Sequence, residues 1–204
     1  ANRNMSGNGV LSIPFSQKRN TYFIRPVLRG KSYHTSIMTG LDLQADQYQL
    51  NSAFGRTDDT QQKYGLFGLL NAPIASRLIL SAGARGAMQD SRLSSTTVSH
   101  YINRALTTTI GLTYQLTPEA ALYIRRAGSF RFPKADENAS TTNGQPLRTQ
   151  RGMAYETGAE WQHEQYTAKL NLYQLALKDE IAFDPFQTSE QPFGSNRNLA
   201  PTIR

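Results

Sequence analysis

The chain has 204 residues, a hydrophobic fraction of 38% and a formal net charge of +7, and it contains no cysteine. The absence of cysteine excludes a disulfide framework and a thiolate metal centre. Its basic residues stand singly, with no run longer than Arg125-Arg126, so the sequence has no basic arm for nucleic acid. No stretch approaches the roughly 18 apolar residues of a membrane-spanning helix.

Alternation of apolar and polar residues recurs along the chain and predicts eight strands. They cover residues 20–30, 34–46, 62–71, 77–88, 105–116, 119–131, 152–163 and 166–178. Strands in soluble sheets usually run about 5–6 residues, whereas a tilted strand that crosses a bilayer needs roughly 9–11. Because every predicted strand is at least that long, the sequence predicts an all-β, antiparallel transmembrane barrel wall.

The links between these strands alternate in length. Short turns are predicted near residues 30–33, 71–76, 116–119 and 163–165, and longer polar links near 47–61, 90–100, 132–150 and 179–196. Short turns on one rim and long loops on the other are typical of outer-membrane barrels. The acidic pairs Asp58-Asp59 and Asp136-Glu137 lie in the long links, where they are predicted to be solvated charges rather than calcium ligands.

The strand over 119–131 shows how the two faces differ. One parity turns Leu122, Ile124 and Phe130 toward lipid, and the other turns Tyr123, Arg125 and Arg131 toward a hydrated lumen. Arg126 falls on the lipid parity, where an arginine costs roughly 2–4 kcal/mol at the bilayer midplane and less near its edges.

Other arginines also fall on the lumen parity, namely Arg25, Arg29 and Arg85. A basic lumen would attract anionic solutes. The alternative that these arginines pair with Asp42, Glu156 or Glu160 and merely stiffen the wall stays open. The aromatic residues Tyr22, Tyr114, Tyr155, Trp161 and Tyr166 are predicted to form girdles at the membrane interfaces.

Five short segments resemble, in family order, strands of the TonB-dependent outer-membrane receptors. They are HTSIMTGLDLQ (34–44), RLILSAGAR (77–85), LTTTIGLTYQLTPEAALYIRRAGSFRFP (106–133), QPLRTQRGMAYETGAEW (145–161), and YQLALKDEIAFDP with NRNLAPTIR (173–185 and 196–204). The third segment ends in the "f-R-x-P" box of the family. The fourth departs from its pattern, because Gln150 or Arg151 replaces the second acidic residue after "P-x-L".

The resemblance implies that residues 1–204 are part of a plugged barrel of about 22 strands, with the plug domain and the terminal strands outside this sequence. It further implies a bacterial outer-membrane protein, in contact with membrane lipid, that imports a ferric siderophore or a related scarce nutrient complex. Energy would come from TonB, acting through the plug. The absence of histidine between Pro133 and Glu156 disfavours haem as the ligand.

The sequence contains no catalytic motif and no metal-binding spacing, so neither an enzyme nor a cofactor is predicted. His34, His100 and His163 are too far apart for a metal site. The candidate ligand-binding residues are Arg131, Arg125, Tyr123 and Arg85. We expect Arg131→Ala to weaken uptake of an anionic ferric complex without abolishing barrel assembly.

Two other classes of protein stay open. A passive pore or a small structural outer-membrane barrel would be complete with about eight strands, although barrels of that size have interiors filled by side chains. A soluble β-sandwich binding protein is the third class. The strand lengths and the basic residues at inward positions disfavour the sandwich.

Overall fold

A computed structural model describes residues 2–8, 14–52, 55–94, 98–138, 141, 145–186 and 194–204 of the chain. The strands are β1 (Asn2–Asn8), β2 (Pro14–Ile24), β3 (Val27–Ser32), β4 (Thr35–Ser52), β5 (Gly55–Ala75), β6 (Leu78–Ser94), β7 (Val98–Gln115), β8 (Ala120–Arg131), β9 (Gln150–His163), β10 (Tyr166–Lys178), β11 (Ile181–Asp184), β12 (Ser195–Asn198) and β13 (Thr202–Ile203). One short helix, α1, covers Ala135–Asn138. Among the described residues, no helix is long and apolar enough to span a membrane.

The large sheet is an antiparallel meander in which neighbours in sequence are neighbours in space. Its order is β1-β2-β4-β5-β6-β7-β8-β9-β10-β13, and β3 continues the line of β2 along β4. Because β1 and β13 lie at opposite ends of this order, the described sheet is open, as expected for part of a larger barrel. The predicted all-β, antiparallel wall is confirmed.

All eight predicted strands are present, but the first is divided in two. Strand β2 ends at Ile24 and β3 begins at Val27, on either side of Arg25-Pro26. A proline has no N–H for the sheet ladder, so it interrupts a strand within which it falls. The Pro26 carbonyl nevertheless accepts a hydrogen bond from the Leu41 N–H at 3.1 Å, which keeps the break attached to β4.

The prediction of long loops is wrong at two of the four links, 47–61 and 90–100, because strand residues extend far into both of them. Strands β4 and β5 stay paired as far as Ser52 and Gly55, and β6 and β7 as far as Ser94 and Val98. These sections carry polar residues on both faces, which hid their strand character in the sequence. The outer apolar face ends at the cross-strand row Leu43–Tyr64–Met88. We call the strands between the short turns and this row the membrane section, and the continuations beyond it the rim section.

The outer face of the membrane section is apolar and uncovered. Leu66, Leu106 and Ile124 are 61%, 66% and 61% exposed, although they are aliphatic side chains. The aromatic residues predicted for the girdles are exposed on the same face. A face of this kind requires a hydrocarbon environment, since water would make such exposure unfavourable.

Strand β8 departs from the regular wall halfway along its length. The β7–β8 ladder ends at Thr109 and Ala127, whereas the β8–β9 ladder continues to Arg131. Beyond Ala127, β8 leans over the inner face, and the Phe130 ring centroid lies 5.3 Å from Cζ of the inward-facing Arg85. The prediction that Phe130 faces lipid is therefore wrong.

The chain that follows β8 folds back onto the inner face of the rim section. We call residues 132–138 and 145–149 the inner segment. It contains α1, and Ala135 and Leu147 are buried in it. Within the predicted link 132–150, the inner segment is thus a packed element rather than a solvated loop. The predicted link 179–196 contains β11 and the first residues of β12, which pair antiparallel with each other.

Candidate functional site

The first part of the candidate site is a shared ion pair on the inner face of the membrane section. Asp42 on β4 accepts hydrogen bonds from Arg25 Nε and, at 2.6 Å, from Arg85 Nη2 on β6. The side chain of Asp42 is 9% exposed, whereas each arginine side chain is 46% exposed. Arg25 also stacks on aromatic rings, with its Cζ 4.9 Å from the Phe23 centroid and 6.0 Å from that of Phe67.

This ion pair borders a cavity of about 280 Å³ that Thr107 and Thr109 also line. One carboxylate faces two guanidinium groups, so the cluster retains a net positive charge. The pairing of arginines with Asp42, which the sequence left as an alternative, is present. It does not neutralise the cavity, because the half-exposed guanidinium groups remain accessible from the lumen.

A second cavity, of about 400 Å³, opens on the inner face of β8–β10. It is lined by Tyr123, Arg125, Glu156 and Glu160, among others. Arg125 Nη2 lies 2.7 Å from Glu156 Oε2. Glu160 instead pairs with Lys169, at 3.0 Å. Positive and negative groups are thus balanced here, unlike in the first cavity.

Tyr123 lies flat against the wall because its neighbour on β9 is Gly158. The two residues are directly opposite in the β8–β9 register. A β-carbon added to Gly158 would lie 2.5 Å from Tyr123 Oη and would also collide with the Leu170 carbonyl oxygen. Glycine is therefore required for the aromatic ring to cover the strand at this point. Sequence reasoning did not identify Gly158, although a glycine opposite an aromatic residue is a usable signal once the register is known.

Arg131 lies apart from both cavities and fixes the inner segment. Its Nη1 contacts both carboxylate oxygens of Glu137 on α1, at 2.7 and 2.8 Å. Its Nε donates to Gln150 Oε1 and its Nη2 to the Ile181 carbonyl, both at 3.3 Å. The structure therefore brings Tyr123 and Arg125 together, places Arg85 in the other cavity, and gives Arg131 contacts with β9, β11 and α1.

Beneath the inner segment lies a layer of buried polar side chains that sequence reasoning missed. Asp59, Gln61 and Gln89 are at most 1% exposed. Gln89 Nε2 donates to Gln61 Oε1 at 3.0 Å and to the Pro133 carbonyl at 2.8 Å. Gln61 Nε2 donates to Asp59 Oδ2 at 3.2 Å. The signal was present in the sequence, since these residues continue the inward parity of β5 and β6 beyond the apolar band.

In each acidic pair predicted to be solvated, one residue is exposed and the other is buried or held in an ion pair. The side chain of Asp58 is 40% exposed and pairs with Arg56, at 2.7 Å, whereas Asp59 is buried. Asp136 is 40% exposed, but Glu137 is held by Arg131. Across the described ranges, no group of three His, Cys, Asp or Glu side chains is arranged to hold a metal ion.

The buried layer contains two carboxylates with opposite pKa shifts. Burial raises the pKa of Asp59 to about 7. Burial also acts to raise the pKa of Asp46, but hydrogen bonds from Thr21 and Lys63 outweigh it and lower the pKa below its ordinary value. Both groups lie in the rim section. Thus Asp46 is ionised at neutral pH, whereas Asp59 titrates near neutral pH.

His100 and His163 have surface positions. His100 Nε2 lies 3.0 Å from Asp90 Oδ1, and His163 Nδ1 lies 2.8 Å from Glu119 Oε1. Each ring is 48% exposed. His34 belongs to the two-residue turn between β3 and β4, in which Tyr33 has a φ of 51°. The three histidines lie in separate turns and strands.

Taken together, an outward apolar face, an inward charged face and long antiparallel strands define the wall of a membrane β-barrel with a polar lumen. The family model described as "TonB dependent receptor-like, beta-barrel" matches residues 2–203. The chain belongs to this family. Its location is the bacterial outer membrane, and because the family consists of receptors and transporters, the prediction that the chain is not an enzyme is confirmed.

Solved structures of the same fold agree. The copper transporter OprC has a TM-score of 0.76 at 15% identity, over 95% of this chain and 35% of its own. The ferric yersiniabactin uptake receptor FyuA of Yersinia pestis has a TM-score of 0.71 at 16% identity, over 88% and 32%. The hemophore receptor HasR of Serratia marcescens has a TM-score of 0.68 at 15% identity, over 94% of this chain and 39% of its own. The chain thus spans about a third of these proteins. No curated protein matches the sequence.

Proposed function

We propose that this chain is a section of the wall of an outer-membrane active transporter, which imports a ferric siderophore or a similar nutrient complex and is energised by TonB. One observation carries the proposal. Arg25 and Arg85 share the single carboxylate of Asp42 and remain half exposed toward the lumen. A wall that served only as a scaffold would not need an excess of accessible positive charge on its inner face.

The charge distribution supports an anionic ligand. A positive lining attracts anions over distances of several ångströms, and low-dielectric walls strengthen the attraction. A ferric complex whose catecholate oxygens are all deprotonated is anionic, because their charge exceeds that of the iron. Arg85 is therefore the inner-face residue that we expect to act directly on the ligand. Tyr123 and Arg125 line the neighbouring cavity and extend the same polar path.

Arg131 has two proposed roles that an experiment can separate. It stands at the rim, where a ligand would arrive, and it also holds Glu137 of the inner segment. We expect Arg131→Ala to weaken uptake, and Arg131→Lys to restore only what the ion pair with Glu137 supplies. Full rescue by lysine would assign the loss to the inner segment, and no rescue to recognition by the guanidinium group itself.

A growth assay tests the transport proposal. The complete receptor gene would be expressed in an iron-limited strain lacking its own copy, and supplied with hydroxamate and catecholate ferric siderophores, haem and copper in turn. We expect growth and uptake of radiolabelled iron with a ferric siderophore, and no uptake when TonB is removed. Arg85→Gln should lower the apparent affinity for an anionic complex about tenfold, the effect of one charge-assisted hydrogen bond. Arg77→Gln, an exposed arginine at the short-turn rim, is the matched control.

The alternative function is a passive pore or a small structural barrel. It predicts uptake that continues without TonB and that depends on solute size rather than on identity. Within the described residues, β1 and β13 end the sheet at opposite edges and do not close it into a small barrel. TonB-independent passage of uncharged sugars through the purified protein would reject the proposal of active transport.

A further inference from the structure

Separate side-chain contacts attach the inner segment to the rim section. Gln89 Nε2 donates to the Pro133 carbonyl at 2.8 Å, and Thr149 Oγ1 donates to Asn103 Oδ1 at 3.3 Å. The strands beneath are instead joined by continuous ladders, from β4 through β7. Separate contacts break at a lower free energy than a cooperative strand ladder, so the inner segment can part from a wall that stays intact.

Four buried polar atoms lie at this interface without a hydrogen-bond partner among the described residues. They are Asp59 Oδ1 on β5, Ser91 Oγ on β6, Tyr101 Oη on β7 and Asn138 Nδ2 on α1. Ser91 and Tyr101 are directly opposite in the β6–β7 register. Burial, and next the charge of Asp59, raise the pKa of Tyr101, so these two groups lie within electrostatic range of each other. The interface therefore places a carboxyl group among polar atoms that the cover seals from water.

The environment of Asp59 favours its protonated form while the inner segment is in place. Asp59 is 1% exposed, and its Oδ2 accepts a hydrogen bond from Gln61 Nε2 at 3.2 Å. Ionisation would place a charge in a dry site with few donors, and burial accordingly raises the pKa of Asp59 to about 7. When the inner segment parts from the sheet, water reaches the carboxyl group and its pKa returns toward the ordinary value of 3.8.

The charged and titratable groups that face Asp59 do not remove this effect. They are Arg19 on β2, Asp46 and Tyr48 on β4, Lys63 on β5, Tyr101 on β7 and Asp136 on α1. Lys63 Nζ lies 2.9 Å from Asp46 Oδ2. Arg19 lies 3.7 Å from Asp46 and 3.8 Å from Asp136. Both cations are thus shared with other carboxylates. Burial raises the pKa of both tyrosines, so they stay neutral when Asp59 loses its proton.

We propose that the inner segment is a pH-dependent cover of the rim section, which a proton on Asp59 holds closed and which opens when that proton is lost. Opening adds the carboxylate of Asp59 and the amides of Gln61 and Gln89 to the surface at the rim. The surface that the rim presents to solutes then depends on the pH outside the cell. With a pKa of 3.8 in the open state and about 7 in the closed state, the opening equilibrium constant should rise about tenfold from pH 6 to pH 8.

Amide hydrogen exchange of the complete receptor in a neutral detergent tests the cover. The reporter is the N–H of Leu147, a buried residue of the inner segment, which donates to Asn138 Oδ1 at 3.0 Å. Exchange is expressed as protection factors, which cancel its intrinsic pH dependence. We expect the protection of Leu147 to fall about tenfold from pH 6 to pH 8. It should also be at least about a hundredfold lower than that of ladder amides in the membrane section of β5, because the cover opens without unfolding of the wall.

Two variants assign the effect to Asp59. In Asp59→Asn, which cannot ionise, the protection of Leu147 should be the same at pH 6 and pH 8. Asp58→Asn, at the exposed neighbour, should retain the tenfold fall. A tenfold fall that persists in Asp59→Asn would overturn the proposal, and so would equal protection of the unchanged protein at the two pH values.

The unchanged protein keeps the test decisive if Asp59→Asn assembles poorly. Its Leu147 protection should fall between pH 5 and pH 7 and become constant above about pH 8, where Asp59 is ionised in both states. A fall that begins only above pH 8 would overturn the role of Asp59. Protection of Leu147 equal to that of the β5 ladder amides at every pH would show that the cover does not open separately, and would also overturn the proposal.

Discussion

Polar side chains on the inner face of this wall are exposed in one region and buried in another. In the membrane section, the charged side chains of Arg25 and Arg85 are 46% exposed and face an open lumen. In the rim section, Asp59 and Gln61 are 1% and 0% exposed, although they stand on the same face of the same sheet. The difference is the inner segment, which covers the rim section and leaves the membrane section open.

Whether a residue in a barrel wall is buried is therefore not decided by its polarity alone. A single sheet has no second layer, so burial occurs only where another part of the chain folds against it. Here the covering element seals a polar surface, and hydrogen bonds to the Pro133 carbonyl take the place of an apolar core. Stability should therefore be more sensitive to polar substitutions in the rim section than in the membrane section.

The largest expected effect comes from Asp59→Asn. This substitution replaces the carboxyl group, whose pKa is raised, with a neutral amide of similar shape. The pKa of Asp59 is 3.8 when solvated and about 7 in the folded protein, because of burial. Between these pH values the folded state holds a proton that the unfolded state releases. The free energy of unfolding therefore falls as pH rises from about 4 to about 7, by up to about 1.4 kcal/mol per pH unit.

In Asp59→Asn the free energy of unfolding should not fall in this way as pH rises. At pH 8 the variant should therefore be more stable than the unchanged protein, by up to about 4 kcal/mol. Denaturant unfolding of the complete receptor at pH 4.5 and pH 8 measures the difference. Asp58→Asn, at the exposed neighbour, is the control and should not show a gain at pH 8. If the two variants have the same pH dependence, the rim section is not sealed.

Gly158→Leu tests whether the open region tolerates substitution everywhere. We expect this position not to tolerate a side chain, because an added side chain collides with the Leu170 carbonyl and the Tyr123 ring. We expect a loss of about 3 kcal/mol in unfolding free energy, or failure to assemble. Gly30→Ala on β3 is the control, since nothing lies within 4 Å of its added β-carbon. Heat-modifiable migration on gels reports assembly, and equal migration of both variants would contradict the close approach.

Gln89→Leu removes a central hydrogen-bond donor from the buried layer. Its amide donates to Pro133 and Gln61, and its carbonyl accepts from Asn103 at 3.2 Å. Leucine leaves those buried partners unsatisfied, at a cost of about 2 kcal/mol. Gln162→Leu, at an exposed position, should have almost no effect on the denaturant midpoint. Equal losses in the two variants would show that the inner segment does not cover the layer.

Much of the membrane section could be predicted from the sequence, because lipid imposes one apolar face on every strand that crosses it. The strand over 105–116 and the strand over 166–178 illustrate this, since apolar residues stand at every second position from Ile110 to Leu116 and from Tyr166 to Leu172. The rim section could not be predicted in the same way. Its strands have water or a polar cover on both faces, so residues 47–61 show no amphipathic pattern, and polarity alone resembles a loop.

The candidate site shows the same limit. The arginines on the lumen parity could be found one by one, but the sharing of Asp42 by two of them depends on the register of β4, β5 and β6. Phe130 was placed by parity, which fails where β8 leaves β7 after Ala127. A departure of this kind is set by the packing of the inner segment, and no local pattern in the strand announces it.

The smallest expected effect is that of Glu156→Gln, which breaks the ion pair with Arg125 in the membrane section. The Arg125 side chain is 49% exposed, and the two groups lie 2.7 Å apart. Exposed pairs contribute about 0–1 kcal/mol, because water screens the charges. A double-mutant cycle with Arg125→Gln should therefore give a coupling free energy below about 1 kcal/mol that falls further as salt is added. A coupling of about 3 kcal/mol that salt does not change would mean that the pair is desolvated in the assembled receptor, and the contrast between an open membrane section and a covered rim section would then be wrong.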